Sequence, residues 1–274
     1  MVEARLGLTR VLPRTPGISL GVDDALLRIA VAVILSLLLT LPALWLDERV
    51  LRGENVWLKP VRFQIALAIY LVTLAVYASL LPQDARTQRR LRRIGLALTL
   101  ATLVELLWIG GSAMFATPSH YNSHPVMHAL YLLMGGVAVI LILGSLFMGL
   151  SFWTARDSDL PEPLRLSLAL GLCLTFGLTL PVAGTLAAMP GPLVGEALTG
   201  SVVPIFGWSR EVGDLRIAHF LASHALHVLP LLGLVAMGFQ HPLLARALVW
   251  AGALGYAALT GVSFVRALAG LPFI

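Results

Sequence analysis

Six of the chain's seven histidines fall in two short segments. SHYNSHPVMHALY (119–131) carries His120, His124 and His128, and GDLRIAHFLASHALHVLP (213–230) carries His219, His224 and His227. Imidazole is the commonest protein ligand for metals and the side chain that titrates nearest neutral pH. On a helix, His219 and His224 point about 140° apart, whereas His224 and His227, at i and i+3, share a face and could hold one ion. A zinc site wants three N/O ligands plus water, for which His120, His219 or His224, and Glu105 form a set. A b-type haem wants two histidines facing each other from different helices, such as His128 and His224. The candidate metal or haem ligands are therefore His120, His128, His219, His224, His227 and Glu105.

Glu105 lies within the apolar run LATLVELLWIGG. A lone carboxylate in hydrocarbon is costly, faces a protein interior or cavity, and marks a functional site by default. Pairing it with His224 would give both groups a partner and create a titratable pair near neutral pH. Lys59 is the only lysine, the other eighteen cations being arginine. Either arginine bias in the sequence leaves one lysine over, or an ammonium is needed there, because the two cations are not equivalent at a tight site. Lys59 and Arg216 could draw in an anion, with Asn122, Asp214 and Trp108 completing a pocket lining. Asp214 is equally well placed to cap a helix, and Arg216 to reach for the interface. Trp57, Trp153, Trp208 and Trp250 read as an interfacial belt; Trp108, one turn from Glu105, is the exception.

These groups need a lipid-facing frame. The 274 residues are 58% hydrophobic and 12% charged, against about 25% charged in soluble domains. So little charge cannot coat a globule in water. The single cysteine, Cys173, excludes an internal disulfide and any cysteine-based zinc or iron–sulfur cluster. The net charge of +5 does not argue for nucleic acid, since five arginines crowd into QDARTQRRLRRIG and a membrane protein needs cationic loops on one side.

Apolar runs long enough to cross a bilayer occur near 25–46, 57–82, 92–116, 126–154, 163–189, 215–240 and 242–270. The sequence thus predicts an all-α, polytopic transmembrane bundle of seven spans. Residues 1–24 form a cytoplasmic N-terminal segment and 25–274 one transmembrane domain. The first span reads as a retained helix rather than a cleaved signal peptide. Pro60, Pro125 and Pro242 stand near helix starts, where a missing N–H costs nothing; Pro42, Pro181 and Pro230 fall inside spans. With the N-terminus inside and the C-terminus outside, twelve cations face the cytoplasm and seven the exterior, as the positive-inside rule prefers. All six clustered histidines then face outward. The stretch 189–214 is expected to lie along the interface as a short helix or to dip back in.

WLKPVRF (57–63), SHYN (119–122) and GDLRIAHF (213–220) resemble recurring segments of a group of uncharacterised bacterial polytopic membrane proteins, and Glu105, fifteen residues before His120, fits that group. The resemblance implies a bacterial inner-membrane protein and picks out Lys59, Phe63, Glu105, Ser119, His120, Asn122, Asp214, His219 and His224, without implying a reaction. Where that group carries an Arg-Gly or a Gln before the turn, residues 111–116 here are mainly apolar.

Three functional classes follow. The first is a metal- or haem-binding protein with a His/Glu pocket open to the outer side. The second is a proton-coupled or small-anion transporter, with Glu105 and His224 as relay groups. The third is an accessory or assembly subunit without chemistry. The bilayer is the one partner the sequence requires; a small ligand at the outer face is expected under the first two.

Overall fold

A computed structural model describes residues 22–155, 158–204 and 206–273. Among them seven helices are long and apolar enough to cross a membrane: α1 (Val22–Leu46), α2 (Leu58–Ser79), α3 (Ala85–Met114), α4 (Pro125–Thr154), α5 (Glu162–Ala188), α6 (Leu215–Ala236) and α7 (Pro242–Leu268). The chain is a multi-pass membrane protein. The shortest of these helices, with 22 residues, is about 33 Å long at the usual rise, enough for a bilayer core of about 30 Å. Most of the N-terminal segment expected in the cytoplasm, residues 1–21, lies outside the described residues.

The third helix starts at Ala85, seven residues before the apolar run suggests. The arginine-rich stretch is therefore two turns of helix rather than a loop. The Asp84 carboxylate accepts from the backbone N–H groups of Arg86 and Thr87, an N-cap that nucleates helix ahead of the apolar part. Arginine is a good helix former, and Arg86, Arg89, Arg90, Arg92 and Arg93 are exposed there. Helices α1, α5 and α6 run through Pro42, Pro181 and Pro230, while α4 and α7 begin on Pro125 and Pro242.

The connection after α5 is not a helix. Leu193–Val194 (β3) pairs antiparallel with Gly213–Asp214 (β4), and Val202 bridges Ser209. The Glu211 carboxylate fastens this excursion, accepting from the backbone N–H of Leu198, Thr199 and Ser201 and from the Thr199 hydroxyl. Hydrogen bonding to Thr199, then to the neighbouring amides, pulls Glu211 down to about 2. Its glycines and prolines deny a helix, and the paired strands satisfy the backbone instead.

The chain divides into two compact units, one holding the described residues up to Gly144 and the other those from Ser145. In the N-terminal unit, α1 and α2 are joined by a half-buried polar knot: Thr40 Oγ1 donates to Gln64 Oε1 (2.6 Å), and Gln64 Nε2 donates to Ser36 Oγ (2.7 Å). In the C-terminal unit, α5 and α6 pack backbone to backbone. A Cβ on Gly171 would stand 2.9 Å from Ala225 O, and one on Gly233 would overlap Ser167 Oγ. The Leu226 N–H donates to Thr175 Oγ1 at 2.9 Å, a bond that ties the α6 backbone to α5 one turn before Pro230, a residue with no N–H to offer the helix.

Candidate functional site

The N-terminal unit gathers Lys59, Glu105, Trp108, Ser119, His120 and Asn122. Its scaffold is a two-residue hairpin, Val50–Leu51 (β1) against Glu54–Asn55 (β2). Arg52 and Gly53 form the turn with φ of 54° and 84°, the left-handed pair that matches hairpin twist. From that turn Arg52 donates to His120 O (3.3 Å) and Tyr121 O (2.7 Å), fixing the 119–122 loop. Asp47 braces the hairpin by accepting from Arg49 and from the Trp57 indole (2.8 Å). Those two donors hold its carboxyl well below the usual range.

The loop after α3 is held from two further directions. Trp108 Nε1 donates to Ser119 O at 3.1 Å. Asn122 donates to Pro118 O and accepts from the His124 N–H, both at 3.0 Å, so it shapes the turn. The His120 imidazole lies 4.9 Å from the Tyr131 ring and 6.3 Å from those of Phe63 and Tyr121, centroid to centroid. Burial, and then the nearby Lys59 charge, push His120 down to about 3; it is neutral in the physiological range. A ring contact to Ser119 Oγ (3.2 Å) helps to orient it.

Behind this loop sits Glu105, nine residues before the end of α3 and so about 14 Å along it. It is 3% exposed, and its Oε1 makes no hydrogen bond among the described residues. Thr102 Oγ1 and Ser112 Oγ, on the same buried stripe of α3, are likewise unbonded. Lys59, in the first turn of α2, is the cation whose field reaches Glu105; the same ammonium also acts on His120 and feels Arg52 and Glu54. Yet no ion pair or hydrogen bond joins Lys59 to Glu105. The N-cap residue of α2, Trp57, makes no side-chain cap bond to the first turn, its own N–H being taken by Asn55 Oδ1. The apolar cavity of about 240 Å³ formed by α1, α2 and α3 takes in Pro60, Gln64 and Leu106 but not Glu105, and belongs to another face of α3.

The C-terminal unit holds Asp214, Arg216, His219, His224 and His227. Asp214 is 2% exposed and saturated. It accepts from the Ser209 and Arg216 N–H groups (2.9 and 3.0 Å) and from Arg216 Nε and Nη2 (2.9 and 2.6 Å). Arg216 also donates to Gly207 O at 2.7 Å. The two residues expected either to frame an anion pocket or to cap a helix are thus spent on the cap and on the turn before it. His224 stacks on Phe220 (3.9 Å) and stands 5.2 Å from His227. His219 Nδ1 is buried without a hydrogen-bond partner among the described residues.

The expected three-ligand zinc set is not assembled: among the described residues no group of three or more His, Cys, Asp or Glu side chains is placed to hold a metal ion. His128 is exposed, its ring 6.2 Å from Tyr131, which suits a headgroup contact better than a buried haem ligand. His124 and His241 are exposed as well.

Two contributors escaped sequence reading. Arg52, which holds the His120 loop, looks like one more loop arginine; the Arg-Gly pair between β-formers was its signal. Gln64, five residues beyond Lys59, announces itself as an uncharged polar residue inside an apolar span. Compared with protein-family models, curated proteins and solved structures, the chain matches none.

Proposed function

We propose that the chain is a multi-pass protein of a bacterial inner membrane that binds a small anion together with a proton, on the outer side, at Lys59 and Glu105. One observation carries this reading: a buried carboxylate with an unbonded oxygen lies in the field of a lysine that does not close onto it. Opposite charges in a low-dielectric interior attract by several kcal/mol even at an effective dielectric of about 20. A pair kept apart is kept for something between them. Lys59 at an uncapped helix start offers an anion both an ammonium and the positive end of α2. An anion there would repel ionised Glu105, so binding it takes up a proton on that carboxyl. His120, neutral down to about pH 3, contributes no charge in this window. Glu54 is engaged with Arg62 at 3.0 Å. The outward placement rests on the arginine bias, twelve cations against seven. The bacterial inner membrane rests on the resemblance in WLKPVRF, SHYN and GDLRIAHF.

The test is a calorimetric titration of chain purified in mild detergent with chloride, acetate and phosphate, at about pH 8 and about pH 5, a span over which a buried carboxyl titrates. At least one anion should bind more tightly at the lower pH. Lys59→Met should weaken it by about tenfold or more, a loss of about 1.4 kcal/mol. Glu105→Gln, which mimics the protonated acid, should bind as tightly at the higher pH as wild type does at the lower. Binding indifferent to both substitutions would refute the reading.

A further inference from the structure

The imidazole of His224 is oriented before any ligand arrives. Its Nδ1 lies 2.8 Å from Phe220 O, one turn back on α6. A carbonyl only accepts, so Nδ1 must carry the proton, and the lone pair is placed on Nε2. The ring face is clamped by Phe220, stacked at 3.9 Å and 24°. Phe220 is held in turn by Trp208 (5.2 Å) and Phe206 (5.8 Å), which stack on each other at 4.4 Å. Ser223 Oγ approaches Nδ1 at 3.2 Å. A donated Nδ1–H to a backbone carbonyl and a packed ring are the outer-shell features that orient a ligating histidine and raise its basicity. No hydrogen bond among the described residues uses the Nε2 so prepared.

His227 is one turn further along the same face. The two ring centroids are 5.2 Å apart at 44°. With metal–nitrogen bonds of about 2.0–2.1 Å, two imidazoles bound at a tetrahedral angle have centroids about 5 Å apart. The spacing matches that of two adjacent ligands on one ion.

We propose that His224 and His227 of α6 bind one divalent transition-metal ion of the zinc class, His224 through Nε2. No third His, Cys, Asp or Glu among the described residues joins them, so the remaining positions fall to water or to an exogenous donor. Imidazole with open positions suits zinc and its neighbours, while magnesium and calcium prefer oxygen. The site does not depend on Lys59 or Glu105, and either can fail without the other.

The probe is zinc ion alone, offered to the full chain in detergent by equilibrium dialysis with elemental analysis, alongside mass-spectrometric mapping of histidine acylation by diethyl pyrocarbonate. One zinc per chain is expected. His224→Ala, His224→Gln and His227→Ala should each weaken it by about tenfold or more, and His241→Ala and Lys59→Met should not. In the wild-type chain zinc should shield His224 and His227, but not His241, from acylation. This second measurement decides the matter even if a variant fails to fold. Zinc that binds without shielding His224 and His227, or no zinc bound at all, would overturn the proposal.

Discussion

Asp214 and Glu105 are both buried carboxylates, one in each compact unit, and they are treated in opposite ways. Asp214 accepts four hydrogen bonds, two of them from the Arg216 guanidinium. Its charge is consumed in starting α6 and closing the turn before it. Glu105 has an oxygen with no donor among the described residues, and Lys59 acts on it from a distance. A carboxylate that holds a fold together is surrounded by donors. One left partly bare at 3% exposure carries a desolvation penalty that the fold does not recover, and such a penalty persists where binding recovers it. Burial alone therefore does not distinguish these two acids; the count of their donors does.

The comparison can be broken by substitution. The largest effect should come from Asp214→Ala, which strips the cap and leaves the Arg216 guanidinium, 34% exposed, without its partner. A loss of about 2–4 kcal/mol of stability is expected, read as a large drop in thermal midpoint in detergent. If Asp214→Ala is tolerated, its saturation is incidental. Next, Lys59→Met should cost anion binding about tenfold or more while leaving the midpoint nearly unchanged. Glu105→Gln should shift stability by no more than about 1 kcal/mol, in either direction, because it replaces an unrecovered charge with a neutral isostere. A collapse of the fold in Glu105→Gln would place this residue in the same class as Asp214.

The smallest effect sharpens the comparison with a third carboxylate. Glu211 is half-buried and, like Asp214, saturated, and it is held down to about 2 by Thr199 and the adjacent amides. A carboxyl whose folded value lies below its unfolded one stabilises above the unfolded value, near 4.5, and loses that contribution as pH falls toward the folded one. Protection of the Leu198, Thr199 and Ser201 amides, taken relative to their intrinsic exchange rates, should accordingly fall as pH drops between those two values. Protection that stays flat there would mean that Glu211 does not hold the excursion.

Much of this was legible in the sequence. The seven spans follow from runs of apolar residues, and Pro125 and Pro242 mark two helix starts to within one residue. The start of α3 was missed because hydropathy ends where charge begins, while helix propensity and the Asp84 cap do not. The short helix allowed for 189–214 does not form among the described residues, where strand pairs of two residues, which leave no periodic signal, stand instead. Within the site, Lys59, Glu105 and His120 were singled out by rarity, misplaced charge and motif, and the N-terminal unit draws all three together. What could not be read was the bonding. Asp214 is saturated by Ser209 and Arg216, contacts that only the folded backbone creates.

Proton uptake is the most direct measure of the central claim. Adding a binding anion to wild-type chain in weakly buffered detergent, near the pH where affinity changes, should raise the pH of the medium by close to one proton taken up per anion bound. The same addition to Glu105→Gln should bind the anion with no uptake. Anion binding with equal uptake in both proteins, or with none in the wild type, would contradict the account.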